Sequence, residues 1–304
     1  MKQSVSVVGA AAIGDYIFRL DKLPEKGEIV PLNWFSMDLE PGGCAPNIAA
    51  GLASHGVVEP VLLYPVGSDF PQTKILERWL AAGINCSRLT RVPDVPSGRA
   101  WVYMQNDGST MCFAYAGAAD AAIASDPGEL SDIVVIAPVL NHFTKAYLNK
   151  AIQDNKTTVI TGIGSQSIIP YISQIDVLII NEYEAGQLCK ALDCDGPVRI
   201  LDNNPNLRLY VTRGARGSVV YMRDEIVEIP IVKEDYRVDS TGAGDAYCSG
   251  IVSAMVMGKD AVMAAYYGAA NASFVLENVG GQTNLPSWKR LEERLKSQFG
   301  YQYK

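Results

Sequence analysis

The run VDSTGAGDAYCSG, Val238 to Gly250, sets Ser240, Thr241, the three small residues Gly242, Ala243 and Gly244, and the carboxylate of Asp245 directly ahead of an apolar stretch. Ala246, Tyr247, Ile251, Ala254 and Met255 follow at roughly three-and-four spacing, so the run opens a helix packed on a core. A helix N-terminus presents unsatisfied amide hydrogens and a partial positive charge, and residues this small let a ligand approach those amides closely. The chemistry on offer is anion binding. The same residues also read as a plain helix start, with Ser240 or Thr241 as N-cap, the glycines as a tight turn and Asp245 as a favourable acid in the first turn.

Such a turn needs a scaffold behind it. Short β-branched or apolar runs at 4–9, 61–66, 133–139, 157–161, 176–180 and 208–212 alternate with helical stretches such as 46–56, 71–83 and 145–155. That rhythm predicts an α/β fold: a mostly parallel central sheet covered by helices on both faces, with ligands at the carboxyl ends of the strands. Two segments, 16–40 and 97–115, alternate like strands, the second with a turn at Asn106, Asp107 and Gly108 that reads as a hairpin. They predict a small antiparallel sheet inserted into the α/β body as a lid, an oligomer surface or both. Trp34, Phe35 and Trp101 are expected on a buried face of it.

Composition narrows the partners. A chain of 304 residues with 48% hydrophobic and 19% charged residues is expected to form one large α/β unit over 1–304 with an appendage. A net charge of −7 without any cluster of lysine or arginine argues against a nucleic-acid groove or an anionic membrane surface, which leaves a small solute. The six cysteines form no CxxC pair and the two histidines, His55 and His142, are far apart, so a zinc site is not expected. Scattered cysteines pack as small apolar residues in a reducing compartment. The N-terminal run VSVVGAAAIG is broken by Ser4, Ser6 and Gly9 and reads as a buried first strand, hence a cytoplasmic protein.

Two common phosphate-binding signatures are missing: there is no GxxxxGK[ST], and GAAAIG at Gly9 to Gly14 lacks the middle glycine of a dinucleotide fingerprint. What remains resembles the ribokinase-like carbohydrate kinases, the PfkB family. DSTGAGDAYCSG is similar to that family's C-terminal signature and EPGGCAPNIAAGLASHG, Glu40 to Gly56, to its N-terminal one. NEYEA at Asn181 to Ala185 is similar to its Asn-x-x-Glu motif, and TRGARGS at Thr212 to Ser218 to its nucleotide-binding loop, in the same order along essentially the whole chain.

The resemblance implies an ATP- and magnesium-dependent kinase of ribokinase-like fold. Asp245 would be the catalytic base, ionised at its helix start, with the amides of Gly242, Ala243 and Gly244 stabilising charge on the transferred phosphoryl group. Asn181 and Glu184 would orient magnesium-bound water; locally, NEYE also reads as a helix start capped by Asn181. Thr212, Gly214, Gly217 and Thr241 would approach the nucleotide, and Asp239 with Thr241 would hold a monovalent cation such as potassium. Asp15 would grip the hydroxyls of the acceptor. Gly42 and Gly43 would bring backbone amides to it, and Asn47 would add a side-chain amide; a turn before a helix capped by Asn47 or Pro46 is the structural alternative. Relatives place a polar adenine-pocket residue on the last long helix, where Asn271 falls slightly out of step. His55 and His142 are expected to be packed or surface residues.

The expected reaction is transfer of the γ-phosphate to a hydroxymethyl group of a sugar or ribonucleoside. FAYAGAA and VGGQTNLP resemble nucleoside-type members of the family more than ribokinase itself. The alternative is a non-catalytic sugar- or nucleotide-binding protein on the same scaffold, against which the joint presence of Asp245, the anion loop and Asn181 with Glu184 argues. A homodimer through the lid is the expected assembly.

Overall fold

The computed structural model describes residues 2–105, 110–121 and 126–300, and the expected turn at Asn106, Asp107 and Gly108 lies outside them. Along the first half run β1 (Gln3–Gly9), β2 (Gly14–Leu20), β3 (Trp34–Phe35), β4 (Glu40–Pro41), α1 (Cys44–His55), β5 (Val58–Leu63), β6 (Pro65–Val66), α2 (Ile75–Ala81), β7 (Thr90–Arg91), β8 (Arg99–Gln105), β9 (Thr110–Tyr115), β10 (Ile133–Ala137) and α3 (His142–Gln153). The second half adds β11 (Thr157–Thr161), β12 (Val177–Asn181), α4 (Glu182–Leu192), β13 (Arg208–Thr212), β14 (Ser218–Met222), β15 (Glu225–Ile229), α5 (Ala243–Val256), α6 (Ala261–Val275) and α7 (Trp288–Phe299).

The central sheet has the order β15-β14-β13-β12-β11-β10-β1-β5, parallel from β5 through β13 and antiparallel at β14 and β15. Its strands are apolar on both faces because both faces are covered. Val5 and Val7 point into one core with α1, α5 and α6, while Val8 points into the other with α3 and α4. Glycines let the helices of the first layer approach closely. A Cβ on Gly250 of α5 would lie 2.8 Å from Gly268 Cα of α6, and one on Gly51 of α1 would lie 2.3 Å from Ser249 Oγ.

The expected helix over 71–83 divides. Phe70–Thr73 forms a tight single turn, and Lys74, at φ 59°, interrupts it before α2 begins. Pro60 sits in β5, the edge of the central sheet, where a missing amide hydrogen breaks no ladder. His55 is buried and bonds Ser253 Oγ through Nδ1 at 2.7 Å; burial pushes its pKa down to about 4, so the ring is neutral. His142 is exposed at the start of α3. Neither histidine approaches the anion loop.

The small sheet has the order β3-β2-β8-β9 with β4 also on β2. Pairs β2·β3, β2·β4 and β8·β9 are antiparallel, whereas β2 and β8 run parallel. Both strands leave the body at one place, where Ile13 N–H donates to Gly98 O at 2.8 Å, and so they set out in the same direction. Asp15 lies on one face of this sheet. The opposite face carries Phe18, Phe35, Tyr103 and Phe113, linked by ring contacts of 6.5, 5.0 and 5.9 Å. Trp34 and Phe35, expected to be covered, are 49% and 48% exposed because no second layer packs over the sheet there; Trp101 is half-buried.

Candidate active site

The anion loop is built as a helix start without a side-chain cap. Gly242 is the N-cap of α5 at φ 78°, a conformation only glycine adopts freely, and a Cβ there would lie 2.5 Å from Gly281 Cα. Neither Ser240 nor Thr241 caps the helix. Thr241 instead donates both its N–H (2.9 Å) and its hydroxyl (2.8 Å) to Asp239 Oδ1, while Gly280 N–H donates to Asp239 Oδ2 at 2.9 Å. The Ala243 amide is returned to Ser240 O at 3.2 Å, so of the three expected donors it is already engaged. The Gly242 and Gly244 amides have no backbone acceptor among the described residues.

Asp245 occupies the third position of α5 and meets α1 across 198 residues of sequence: Asn47 Nδ2 donates to its Oδ2 at 2.8 Å. The sequence reading has a helix-start carboxylate fully ionised. Burial outweighs that field and pushes its pKa up to about 7, with the Asn47 and Cys44 side chains pulling it down and the charge of Asp15 pushing it further up. A carboxyl poised near neutrality is suited to take a proton from a hydroxyl and release it again.

Asp15, at the start of β2, has its own pKa pushed up to about 6 by burial and by the charge of Asp239. Gly42 makes room for it, since a Cβ there would lie 2.3 Å from Asp15 Oδ2. The Gly42 amide itself donates to Ile13 O at 3.3 Å, which leaves Gly43 as the amide of this pair not so engaged. Gly43, and neither Asn47 nor Pro46, is the N-cap of α1, at φ 86°. Asn47 is 6% exposed, and its side chain spans Asp245 and Gln282, which donates to Asn47 Oδ1 at 3.0 Å. The amide expected to reach the acceptor thus serves the carboxylate beside it.

On the other side of the loop, Thr212, Gly214 and Gly217 line a cavity of about 210 Å³ together with Ser240, Ala243 and Gly244. Its far wall is apolar, from Ile231 and Val232 and from Ala269, Ala272 and Leu276 of α6. Asn271 is not part of it: fully buried, it donates to Ala246 O at 2.8 Å and Ser249 Oγ at 2.9 Å, while the next two residues, Ala272 and Ser273, face the cavity. Asn181 and Thr241 do not line it either. Asn181 caps α4 reciprocally with Glu184: its Oδ1 accepts from Glu184 N–H at 2.8 Å and Glu184 Oε2 accepts from Asn181 N–H at 2.9 Å. Glu184 borders a neighbouring hollow of about 760 Å³, and burial raises its pKa. Among the described residues no three His, Cys, Asp or Glu side chains converge as a metal cluster.

Sequence reasoning missed Gln282, Gly281 and Cys44, all of which border Asn47, Gly242 or Asp245. Among the described residues no helix is long and apolar enough to cross a membrane, and none of the six cysteines is paired.

The arrangement sets together Asp15, a near-neutral Asp245 carboxyl and open helix-start amides that border a cavity of about 210 Å³, and the chain is similar to known proteins along its whole length. The model of the pfkB family carbohydrate kinases matches residues 2–288. The chain is 33% identical over 302 residues to the nucleoside kinase of Methanocaldococcus jannaschii, covering 96% of this chain and 97% of that one. The crystal structure of that archaeal nucleoside kinase superposes with a TM-score of 0.85, covering 97% and 98% of the two chains. Ribokinase of Bacillus subtilis is 26% identical, covering 96% and 99%. Nucleoside kinase of Burkholderia thailandensis in complex with inosine, at 21% identity, has the same fold with a TM-score of 0.85 over 98% of each chain. The chain belongs to the pfkB family of carbohydrate kinases and is an ATP-utilising phosphotransferase whose acceptor is an alcohol group.

Proposed function

We propose that the protein transfers the γ-phosphate of ATP to the hydroxymethyl group of a ribonucleoside, with Asp245 as the base. The observation that carries this reading is the position of Asp245, its pKa near neutrality, between the Asp15 acid and the open amides of the helix start. The choice of nucleoside over free sugar is supported by the whole-chain similarity to an archaeal nucleoside kinase, at 33% against 26% for a ribokinase.

Asp15 accepts hydrogen bonds from two neighbouring ring hydroxyls, and the Gly43 amide donates from the turn beside it. That leaves the hydroxymethyl oxygen facing Asp245, which takes its proton as the oxygen attacks the γ-phosphorus and the bond from that phosphorus to the β,γ-bridging oxygen breaks, releasing ADP. The Gly242 and Gly244 amides stabilise charge developing on the transferred group. Thr212, Gly214 and Gly217 seat the nucleotide, the two glycines without side-chain bulk.

Magnesium supplies charge neutralisation on the phosphates, and Asn181 with Glu184 fits it as a holder of its water shell: a half-buried carboxylate, one of whose oxygens accepts a backbone hydrogen bond, retains further acceptor capacity. For the monovalent cation, Asp239 Oδ1 is occupied by both Thr241 donors, while Oδ2 accepts only from Gly280 N–H and the Thr241 hydroxyl oxygen donates without accepting, so these two oxygens keep acceptor capacity for it; no step depends on an ion there. We also propose a homodimer through the exposed aromatic face of the small sheet, acting as lid of a single kinase unit, in a cytoplasmic setting that suits six unpaired cysteines. A sedimentation mass equal to one chain at all concentrations contradicts the dimer.

Asp15→Ala tests the acceptor side. Acceptor KM is expected to rise at least about tenfold with a smaller change in KM for ATP, because only the acceptor bonds to this acid. The preference for the intact diol over its deoxy analogue collapses with it. Comparison of kcat/KM for the two acceptors, in parent and variant, decides: an unchanged ratio removes Asp15 as the hydroxyl clamp.

A further inference from the structure

We propose that Gln282 is a positioning residue for the catalytic base: it fixes the orientation of the Asn47 amide, and that orientation holds Asp245 in the form that accepts a proton. The inference rests on the reading of Asp245 as the base.

The chemistry of the chain of bonds has one direction. An ionised carboxylate only accepts, so Asn47 must turn its N–H to Asp245 Oδ2, as it does at 2.8 Å. Its Oδ1 then points away and needs a donor in a place only 6% exposed, and Gln282 Nε2 supplies it at 3.0 Å. Were Asn47 to flip, its N–H groups would face those of Gln282 and its oxygen would face Asp245. Two donors would then oppose each other, and the carboxyl would gain an acceptor that favours its protonated form. The flip therefore requires Gln282 to turn its own amide as well, and it sets the Asn47 oxygen against an ionised carboxylate.

The segment that carries Gln282 is itself pinned to the anion loop. Gly280 N–H is bonded to Asp239 Oδ2, and a Cβ on Gly281 would lie 2.7 Å from Asn47 Nδ2 and 3.1 Å from Gly242 Cα. Gln282 therefore cannot drift without disturbing the loop that receives the phosphate. The titratable groups around Asp245 are Asp15 from β2, Cys44 from α1, Tyr64 beyond β5 and Cys248 one turn along α5. Glu184 of α4 acts on Cys44, and Asp239 acts on Asp15. None of these is cationic, so neutral donors carry the stabilisation of the ionised form.

The test is kcat against pH at saturating ATP and nucleoside for the parent, Gln282→Met and Gln282→Glu. Methionine keeps the volume and lacks the N–H. A glutamate carboxylate only accepts, so it draws the Asn47 N–H away and turns the Asn47 oxygen onto Asp245. The acid limb of the profile is expected to move up by about half a pH unit in the first variant and about one unit in the second, each unit being about tenfold in rate below the limb. KM for ATP stays within about twofold, since Gln282 is not among the residues that line the cavity proposed for the nucleotide. An acid limb unmoved in a folded variant, even one slower at every pH, overturns the proposal. A parent profile flat through the acid range removes the base and the relay together, whereas a parent limb that either variant leaves in place removes the relay alone.

Discussion

Asp245→Asn is expected to lower kcat by about 10²- to 10⁴-fold while the affinity for ATP stays within about threefold of the parent. The substitution keeps the shape of the side chain and its place at the start of α5, and removes only the capacity to take a proton. Its local cost is small, because an amide oxygen still accepts from Asn47 Nδ2 where the carboxylate oxygen does now. The cavity proposed for the nucleotide is lined by Ala243 and Gly244 but not by Asp245. Nucleotide binding and turnover therefore separate in this variant. Steady-state kinetics with a parallel equilibrium titration of ATP reads both, and a kcat within about threefold of the parent leaves Asp245 as a helix-start acid and nothing more.

Gly244→Val is expected to abolish most turnover by a different route, about 10²-fold or more, in a protein that still folds. A Cβ at Gly244 meets no atom within 4 Å, and the residue lies within a helix with no positive φ. The side chain would instead enter the space over the open amides, where the phosphate has to come within hydrogen-bond distance, and losing that stabilisation costs on the order of 10²- to 10³-fold. Gly242 is the contrast: it sits at φ 78° with Gly281 Cα 2.5 Å from its missing Cβ, so a valine there disturbs the turn itself. The comparison needs a thermal melt beside the kinetics. A Gly244→Val protein that melts like the parent and phosphorylates at the parental rate puts the phosphate somewhere else.

The parts of this site that a single sequence reveals are those set by local chemistry. Glycines and small residues ahead of a three-and-four apolar pattern announce an open helix start, and α5 begins there. The alternation of β-branched runs with helical stretches announces the parallel sheet, with boundaries shifted by a few residues where Lys74 takes a left-handed conformation or Pro60 lies on an edge. What depends on distant partners is not legible in the same way. Asn47 and Gln282 are 235 positions apart, and nothing local in GGQT marks one of its side chains as a partner of Asn47. The pKa of Asp245 follows from how much protein encloses it, a property of the packed layers and not of the turn. The engagement of the Gly42 amide with Ile13, and of Asp239 with Thr241 and Gly280, likewise appears only when the strands are assembled. Asn271 shows how small the margin is: the helix is the expected one, but a rotation of one residue sends Asn271 into the core and Ala272 and Ser273 to the cavity.

The most direct measurement is the release of ADP from ATP with adenosine, inosine, cytidine, their 2′-deoxy analogues and free ribose as acceptors, with the phosphorylated product identified by phosphorus NMR. An acceptor held by Asp15 through a diol and phosphorylated at its hydroxymethyl group predicts one 5′-monophosphate per ADP. It also predicts kcat/KM for at least one ribonucleoside about tenfold or more above both its deoxy analogue and ribose. Stoichiometric ribose 5-phosphate with no nucleoside turnover contradicts the nucleoside assignment. ATP consumption that none of these acceptors stimulates contradicts the proposed reaction altogether.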